Sequence, residues 1–262
     1  MYLPHQTWPD LADAPTPSLA VVPLGSTEQH GPHLPEGTDY LIARALARAA
    51  TDRTGHYCTP PVTVGVSPHH RQFPGTTWVD APVFRDYVES LSRNLTYHGI
   101  DRIVYVNAHG GNVVHLREVG RRLRDDGVAF ACEWMWDESI PDHIETAFDA
   151  PGPHGGPKET AMIMHIARDL VREGRLEDAR DGGAVDFSPE QLRVHGATVV
   201  YDALENSPNG VFGDQTEATP EIGRDLFEAA TDQLVALLEW LESQPLDALA
   251  PREPVVSDLE YE

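Results

Sequence analysis

Lysine is almost missing from this chain. Of 19 cationic residues in 262, Lys158 is the single lysine and the others are arginine; they face 42 Asp and Glu, for a formal net charge of −23 with histidines neutral. Nucleic-acid affinity rests on clustered Lys and Arg that neutralise phosphates, so a nucleic-acid partner is excluded. An acidic surface without lysine suits a cytosol of very high salt, where a Debye length of about 3 Å screens self-repulsion. An acidic protein of ordinary salt with a chance shortage of lysine is the alternative.

Cysteine is scarce too: only Cys58 and Cys132 occur, each inside an apolar run and with no CxxC spacing. Two buried thiols in a reducing compartment account for them, and zinc-ribbon and thioredoxin motifs are excluded. No run approaches the roughly 18 apolar residues of a membrane span. The opening MYLPHQTWPDLADAP lacks the basic and apolar regions of a signal peptide, so the expectation is a soluble cytoplasmic protein with no membrane partner. GxGxxG after a strand, the GxxxxGK(S/T) phosphate loop and the GxSxG elbow are missing, which leaves nucleotide cofactors and a serine nucleophile unsupported. The acids of GDQTEATPEIG are wrongly spaced for an EF-hand.

What is present alternates. With 40% hydrophobic residues the chain has material for a substantial core. LAVVPLGS (19–26), YCTPPVTVGV (57–66), RIVYVNAH (102–109) and VAFACEWMW (128–136) read as strands, with Pro60 and Pro61 marking the second as an edge or irregular one. Between them TDYLIARALARAA (38–50), VFRDYVESLSRNLTYHG (83–99) and NVVHLREVGRRLRDDG (112–127) read as helices. A further helix covers KETAMIMHIARDLVREG (158–174), an irregular connection follows (177–188), and a last helix runs from the N-cap Thr219 and Pro220 to about Ser243. This order predicts a single α/β domain over 1–250, with a mainly parallel central sheet flanked by helices, and an acidic tail at 251–262.

In such folds ligands sit outside the carboxyl ends of the strands. STEQHGPHLPEGTD (26–39) begins where the first strand ends, and NAHGGN (107–112) where the third does. Glu28 and His30, spaced i and i+2 in extended chain, point to the same side. Asp39 opens the following helix, where a carboxylate suits the positive dipole end. With His109 they form a mixed oxygen and nitrogen donor set suited to Zn2+, Mn2+ or Fe2+ rather than Ca2+ or Mg2+, and Asp39 could bridge two ions. Each residue alone reads as well as a surface turn residue; as a set at two carboxyl-end corners they point to a metal centre. SPHHRQFPGTT (67–77) adds His69 and His70 as candidates for touching or supporting substrate. GPHGGPKET (152–160) adds His154, suited to acid–base work near neutral pH, and Glu159, a ligand or a residue that complements the helix dipole. His70, Asn107, Gly110 and Gly111 are the expected substrate contacts. Trp134 and Trp136 read as core residues that could line the pocket, and His33 and Glu36 as bystanders.

The segments PLGSTEQHGPHLPEGTD, HRQFPGTT, VNAHGGN, PHGGPKETA and NGVFGDQTEAT, in that order, resemble the creatininase (creatinine amidohydrolase) family over nearly the whole chain. The resemblance implies an α/β fold with a mainly parallel sheet, a binuclear metal hydrolase of non-peptide C–N bonds, and a homo-oligomer. It places Glu28, His30, Asp39 and His109 on metal-ligand positions with Asp39 as the bridge. His154 falls on an active-site histidine, and Glu159 on an acid beside it, a candidate ligand or proton donor. Creatininase proper carries a metal-binding glutamate where this chain has Gly111, and a Trp-Asp pair and an acid where it reads Pro151, Gly152 and Pro153. The Gly-Gly version is more similar to two other branches. One is the archaeal deformylase of a formylamino-pyrimidine ribotide, in riboflavin and deazaflavin synthesis; the other is the mycofactocin-precursor peptidase. The implied substrate is a small amide or formamide, the ribotide being the specific expectation.

Overall fold

Four apolar runs become the four strands of one parallel sheet: β1 (Leu19–Leu24), β2 (Tyr57–Cys58), β3 (Arg102–Asn107) and β4 (Phe130–Met135), in the order β2-β1-β3-β4. The computed structural model describes residues 1–181, 193–195, 197, 198 and 200–252. Five helices of ten or more residues flank the sheet among these residues: α1 (Thr38–Thr54), α2 (Ala81–Tyr97), α3 (Val113–Asp125), α4 (Pro157–Ile166) and α5 (Pro220–Ser243).

Alternation along the strands divides the core in two. Leu19, Val21, Val104 and Val106 face one side and pack with Ile42 and Leu46 of α1, Met162 of α4 and Leu226, Leu234 and Leu238 of α5. Ala20, Val22, Leu24, Ile103 and Tyr105 face the other, against Phe84 and Val88 of α2 and Leu116, Val119 and Leu123 of α3. Each such aliphatic side chain taken from water contributes about 1.5–3 kcal/mol. A sheet covered on both faces explains why β1 and the middle of β3, Ile103 to Val106, are apolar throughout instead of alternating with polar residues.

The register aligns Leu24, Asn107 and Met135 at one edge. β1 lies between β2 and β3, so the chain leaves β1 outward to β2 and returns to β1's other side as β3. The carboxyl ends of β1 and β3 therefore flank a switch point, the place where parallel sheets open a crevice.

Three expectations shift in detail. The strand expected over 57–66 is regular only at Tyr57–Cys58, with one further bridge from Val62 to Leu24, because Pro60 and Pro61 supply no N–H for the ladder. The helix expected over 158–174 stops at Ile166, where Ala167 leaves helical dihedrals; two 3-10 turns then carry Val171 into the core. The connection expected over 177–188 starts as a short helix, Leu176–Asp181, whose Glu177 and Asp178 suit its N-terminal dipole end; its remainder lies outside the described residues. So does the tail beyond Arg252, which leaves the expected division of domain and tail a proposal.

Candidate metal centre

The loop after β1 is pressed onto the start of α1. A Cβ on Gly25 would lie 2.3 Å from the Tyr40 amide nitrogen, so only glycine lets the strand end this close to the helix. That contact brings Asp39, in the first turn of α1, to Glu28 and His30. The loop is closed by the Glu28 amide donating to Glu36 O at 2.9 Å. Asn112 ties it to its neighbours: its Oδ1 accepts from the Val66 amide and its Nδ2 donates to Gly25 O.

Four donors meet there, all buried. His30 Nε2 lies 2.9 Å from Asp39 Oδ1, and His109 Nδ1 lies 3.2 Å from both Glu28 Oε1 and Asp39 Oδ2. The backbone selects which ring nitrogens face inward. His30 donates from Nδ1 to Glu28 O at 3.0 Å, and His109 donates from Nε2 to Val66 O at 3.1 Å. His30 Nε2 and His109 Nδ1 are thus left for the centre, an outer-shell arrangement typical of histidine ligands. Glu28 Oε2, His30 Nε2 and Asp39 Oδ2 are buried without a hydrogen-bond partner, although buried polar atoms are normally paired. Their convergence fits a divalent cation, with Asp39 presenting one oxygen to each histidine.

The electrostatics agree. Burial alone would lower His30, but Asp39 overrides it and raises the ring to about 10. Burial opposes charge on His109 also, and Glu28 with Asp39 raises it well above its ordinary value. Burial would raise Glu28, yet His109, His154 and His70 hold its carboxyl well below the usual range. These carboxylates favour positive charge at this spot, whether a ring proton or a metal ion.

His154 and Glu159 come from the other side. His154 donates from Nε2 to Gln29 O at 2.8 Å, which leaves Nδ1 bare, 3.7 Å from Glu28 Oε1. Burial, then His30 and His70, keep this ring neutral far below its ordinary pKa. Glu159 accepts from the Gly155 amide, and one of its oxygens can share a cation with His30 and His154. Burial raises Glu159 to about 7. A cavity of about 220 Å³ opens onto Glu28, Asp39, His109, His154 and Glu159.

Of the expected substrate contacts, Gly110 lines this cavity. Asn107 turns back instead, its Oδ1 accepting from the His109 amide and its Nδ2 donating to His109 O. Gly111 sits beneath the His109 ring, where a Cβ would lie 2.4 Å from Nε2. His70 is buried with Nε2 3.6 Å from Glu28 Oε1, and burial lowers it to about 4.

Gln29 and Asp137 had no signal in the pattern of residues, His33 read as a bystander, and Trp136 read as a core residue that could line the pocket. Gln29 is the hub of the loops: its Oε1 accepts from the Gly31 amide, and its Nε2 donates to Gly210 O and to His70 Nδ1. His33, expected as a bystander, is fully buried and donates from Nε2 to Thr160 Oγ1 at 2.8 Å, joining the loop to α4; the Thr160 hydroxyl in turn donates to Gly156 O. Trp136 and Asp137, just past β4, form part of the cavity wall.

A switch-point site with buried oxygen and nitrogen donors on an α/β sheet defines a metal-hydrolase type of centre. A family model described as Creatininase, creatinine amidohydrolase, matches residues 4–238, and the chain belongs to this family of amidohydrolases. It is 34% identical over 246 residues to a mycofactocin precursor peptide peptidase of Mycobacterium ulcerans, spanning 89% of this chain and 86% of that protein. It is 25% identical over 227 residues to a 2-amino-5-formylamino-6-ribosylaminopyrimidin-4(3H)-one 5'-monophosphate deformylase of Methanothermus fervidus, spanning 83% and 82%. A putative creatinine amidohydrolase of Bacteroides fragilis superposes with TM-score 0.79 at 25% identity, covering 94% of this chain and 97% of that one. Solved creatininases in a Zn-Zn form and an Mn form share the fold, with TM-score 0.76.

Proposed function

We propose that the protein is a metal-dependent hydrolase of an amide C–N bond, holding two divalent ions such as Zn2+, Mn2+ or Fe2+. The observation that carries this is the convergence of Glu28, His30, Asp39 and His109, with three of their inward atoms buried and unpartnered. Asp39 would be the carboxylate that serves both ions, since its two oxygens face different histidines. Glu159 supplies the further carboxylate that Gly111 cannot. When bound, the ions supply Lewis acidity that polarises a carbonyl and acidifies water. The chain supplies the proton handling. His154, neutral with Nδ1 free, takes a proton at that atom and returns it to the leaving nitrogen. In the metal-free protein burial raises Glu159 to about 7, so its service as a ligand would release a proton near neutral pH.

The charge of the cavity bears on the substrate. Among the described residues its wall holds Glu28, Asp39, Asp137, Glu138 and Glu159 and no lysine or arginine. With Glu28, Asp39 and Glu159 committed to the ions, Asp137 and Glu138 are the carboxylates left to face a substrate, and an uncharged or cationic amide, of the kind a peptide supplies, fits them better than the ribotide expected from the sequence. The ribotide is the second reading, carried by the Methanothermus relative. Homo-oligomeric assembly is part of the same proposal.

The test is metal analysis of wild type and Asp39→Ala, with turnover of a peptide panel, creatinine and the ribotide. Asp39→Ala is expected to lose both turnover and metal; full activity with normal metal content in that variant refutes the centre. Metal without hydrolysis of any amide would make the protein a ligand-binding member of its family.

A further inference from the structure

The one lysine of this arginine-rich chain sits beside the proposed active site. Lys158 is 8% exposed, in the first turn of α4, immediately before Glu159. A cation in that turn opposes the helix dipole, and burying an ammonium costs free energy unless it is paired. Its Nζ is paired: it donates to Asp137 Oδ2 at 2.5 Å. Asp137 stands two residues past the end of β4, and its other oxygen, Oδ1, accepts from the Glu138 amide at 3.0 Å. Both oxygens are thereby held in place. A carboxylate oxygen can accept two hydrogen bonds, so each keeps acceptor capacity, and Asp137 forms part of the cavity wall that Glu28 and His109 share. A buried cation and a fixed carboxylate at the mouth of a site do more than join two elements, because the carboxylate is presented to whatever enters.

We propose that Asp137 is the substrate-orienting carboxylate of this cavity, accepting a hydrogen bond from an ammonium or N–H group of an amide substrate, and that Lys158 is the positioning residue that fixes it. The site thereby selects cationic or N–H-bearing amides over anionic ones. This rests on the reading of the cavity as the amide-hydrolysing site and names the substrate class that reading left open. A fixed acceptor discriminates strongly, because a charge-assisted hydrogen bond lost from a desolvated site changes affinity about tenfold to a hundredfold.

The test uses the full chain reconstituted with Zn2+ or Mn2+. Glycinamide, β-alaninamide and 4-aminobutyramide place an ammonium at three distances from the amide; acetamide, propionamide and butyramide are their neutral partners, and succinamate is the anion. Ammonia release gives kcat and KM, and calorimetry gives binding independently of turnover. Wild type is expected to favour at least one amino amide over its neutral partner and to reject succinamate. Asp137→Asn should reduce that preference about tenfold or more, in KM and not in kcat, and Lys158→Met should act in the same direction.

An unchanged preference in Asp137→Asn overturns the proposal, as does a wild type that binds amino and neutral amides alike. Equal losses in kcat for all amides would make the pair a structural tie only and would also overturn it. Discrimination in binding that the variants abolish, with no ammonia released by any of them, upholds the recognition and refutes the hydrolase reading. Should Asp137→Asn fail to fold, Lys158→Met and Asp137→Glu carry the same comparison.

Discussion

Gly111 tests how His109, just past β3, is held. A Cβ at this position would lie 2.2 Å from Val66 O and 2.4 Å from His109 Nε2, against an ordinary contact of 3.4 Å or more. Those two atoms are the acceptor and donor of one hydrogen bond, 3.1 Å long, which leaves His109 Nδ1 facing Glu28 and Asp39. Gly111→Ala therefore drives a methyl group into that bond. Room of about 1 Å must be found. Val66 resists moving because its own amide donates to Asn112 Oδ1. The displacement falls on the His109 ring. Losing the bond costs about 1–3 kcal/mol of stability, and removing an outer partner of a metal-ligating histidine costs about 10–100-fold in metal affinity. Competition of the protein with a calibrated chelator for Zn2+ measures the second, and thermal unfolding of metal-free protein the first. Gly110→Ala is the control, since a Cβ there meets nothing within 4 Å; its metal affinity should stay within about threefold of wild type. If Gly111→Ala matches Gly110→Ala in both measurements, the argument that Val66 orients His109 is refuted. The same geometry predicts that Gly111→Glu does not simply add a ligand, since its Cβ breaks the bond before its carboxylate can help.

The remaining predictions concern protons, salt and Gln29. His30 is raised to about 10 in the fold, so its stabilising charge is fully present below its ordinary value of 6.5 and lost as pH rises through about 10. Glu28 is depressed, so its contribution is present above 4.5 and lost on acidification. Metal-free protein should thus lose stability toward both extremes. Metal binding must displace ring protons, so affinity should increase with pH, with proton release seen by calorimetry in two buffers; a pH-independent affinity would contradict this. The formal charge of −23 predicts a melting temperature that rises by several degrees between about 0.1 and 1 M KCl, as the Debye length falls from about 10 to 3 Å. Surface pairs such as Arg93–Glu89 weaken over the same range, but exposed pairs contribute only about 0–1 kcal/mol each; a falling melting temperature would show that they dominate. Gln29→Leu leaves Gly210 O and the Gly31 amide without their partner and should cost about 1–3 kcal/mol for each buried group stranded, read by chemical denaturation. An unchanged midpoint would refute its role as the hub.

The fold and the centre of the site were legible because both are local in the chain. The strand-and-helix order needed only apolar runs and glycine stops. Glu28, His30 and Asp39 lie within one short segment, whose spacing and helix start already turn them the same way. Gln29 was illegible for the opposite reason. Its partners lie 41 and 181 residues away, and the turns that deliver them carry no periodicity. His33 is a like case: its role depends on Thr160, 127 residues on, and nothing near it in sequence separates a buried donor from a solvated turn histidine. Gly111 was placed on the correct corner, but corner residues face either the cavity or the ligand's back, and only the position of Val66 O decides between them.

Lys158 shows how composition becomes chemistry once a position is known. As a count, one lysine among the cations speaks only to the surface and its salt. As a buried residue it is a paired ammonium, donating to Asp137 Oδ2 and set apart from the exposed charges. An ammonium is compact and presents three donors from a point, whereas a guanidinium is a broad plane that must lie against its partner. Next to Glu159 in the first turn, the point charge holds the Asp137 carboxylate, and Glu159 accepts from the Gly155 amide instead. On the proposed reading, the residue that composition makes rarest thus stands where ion binding and substrate recognition meet.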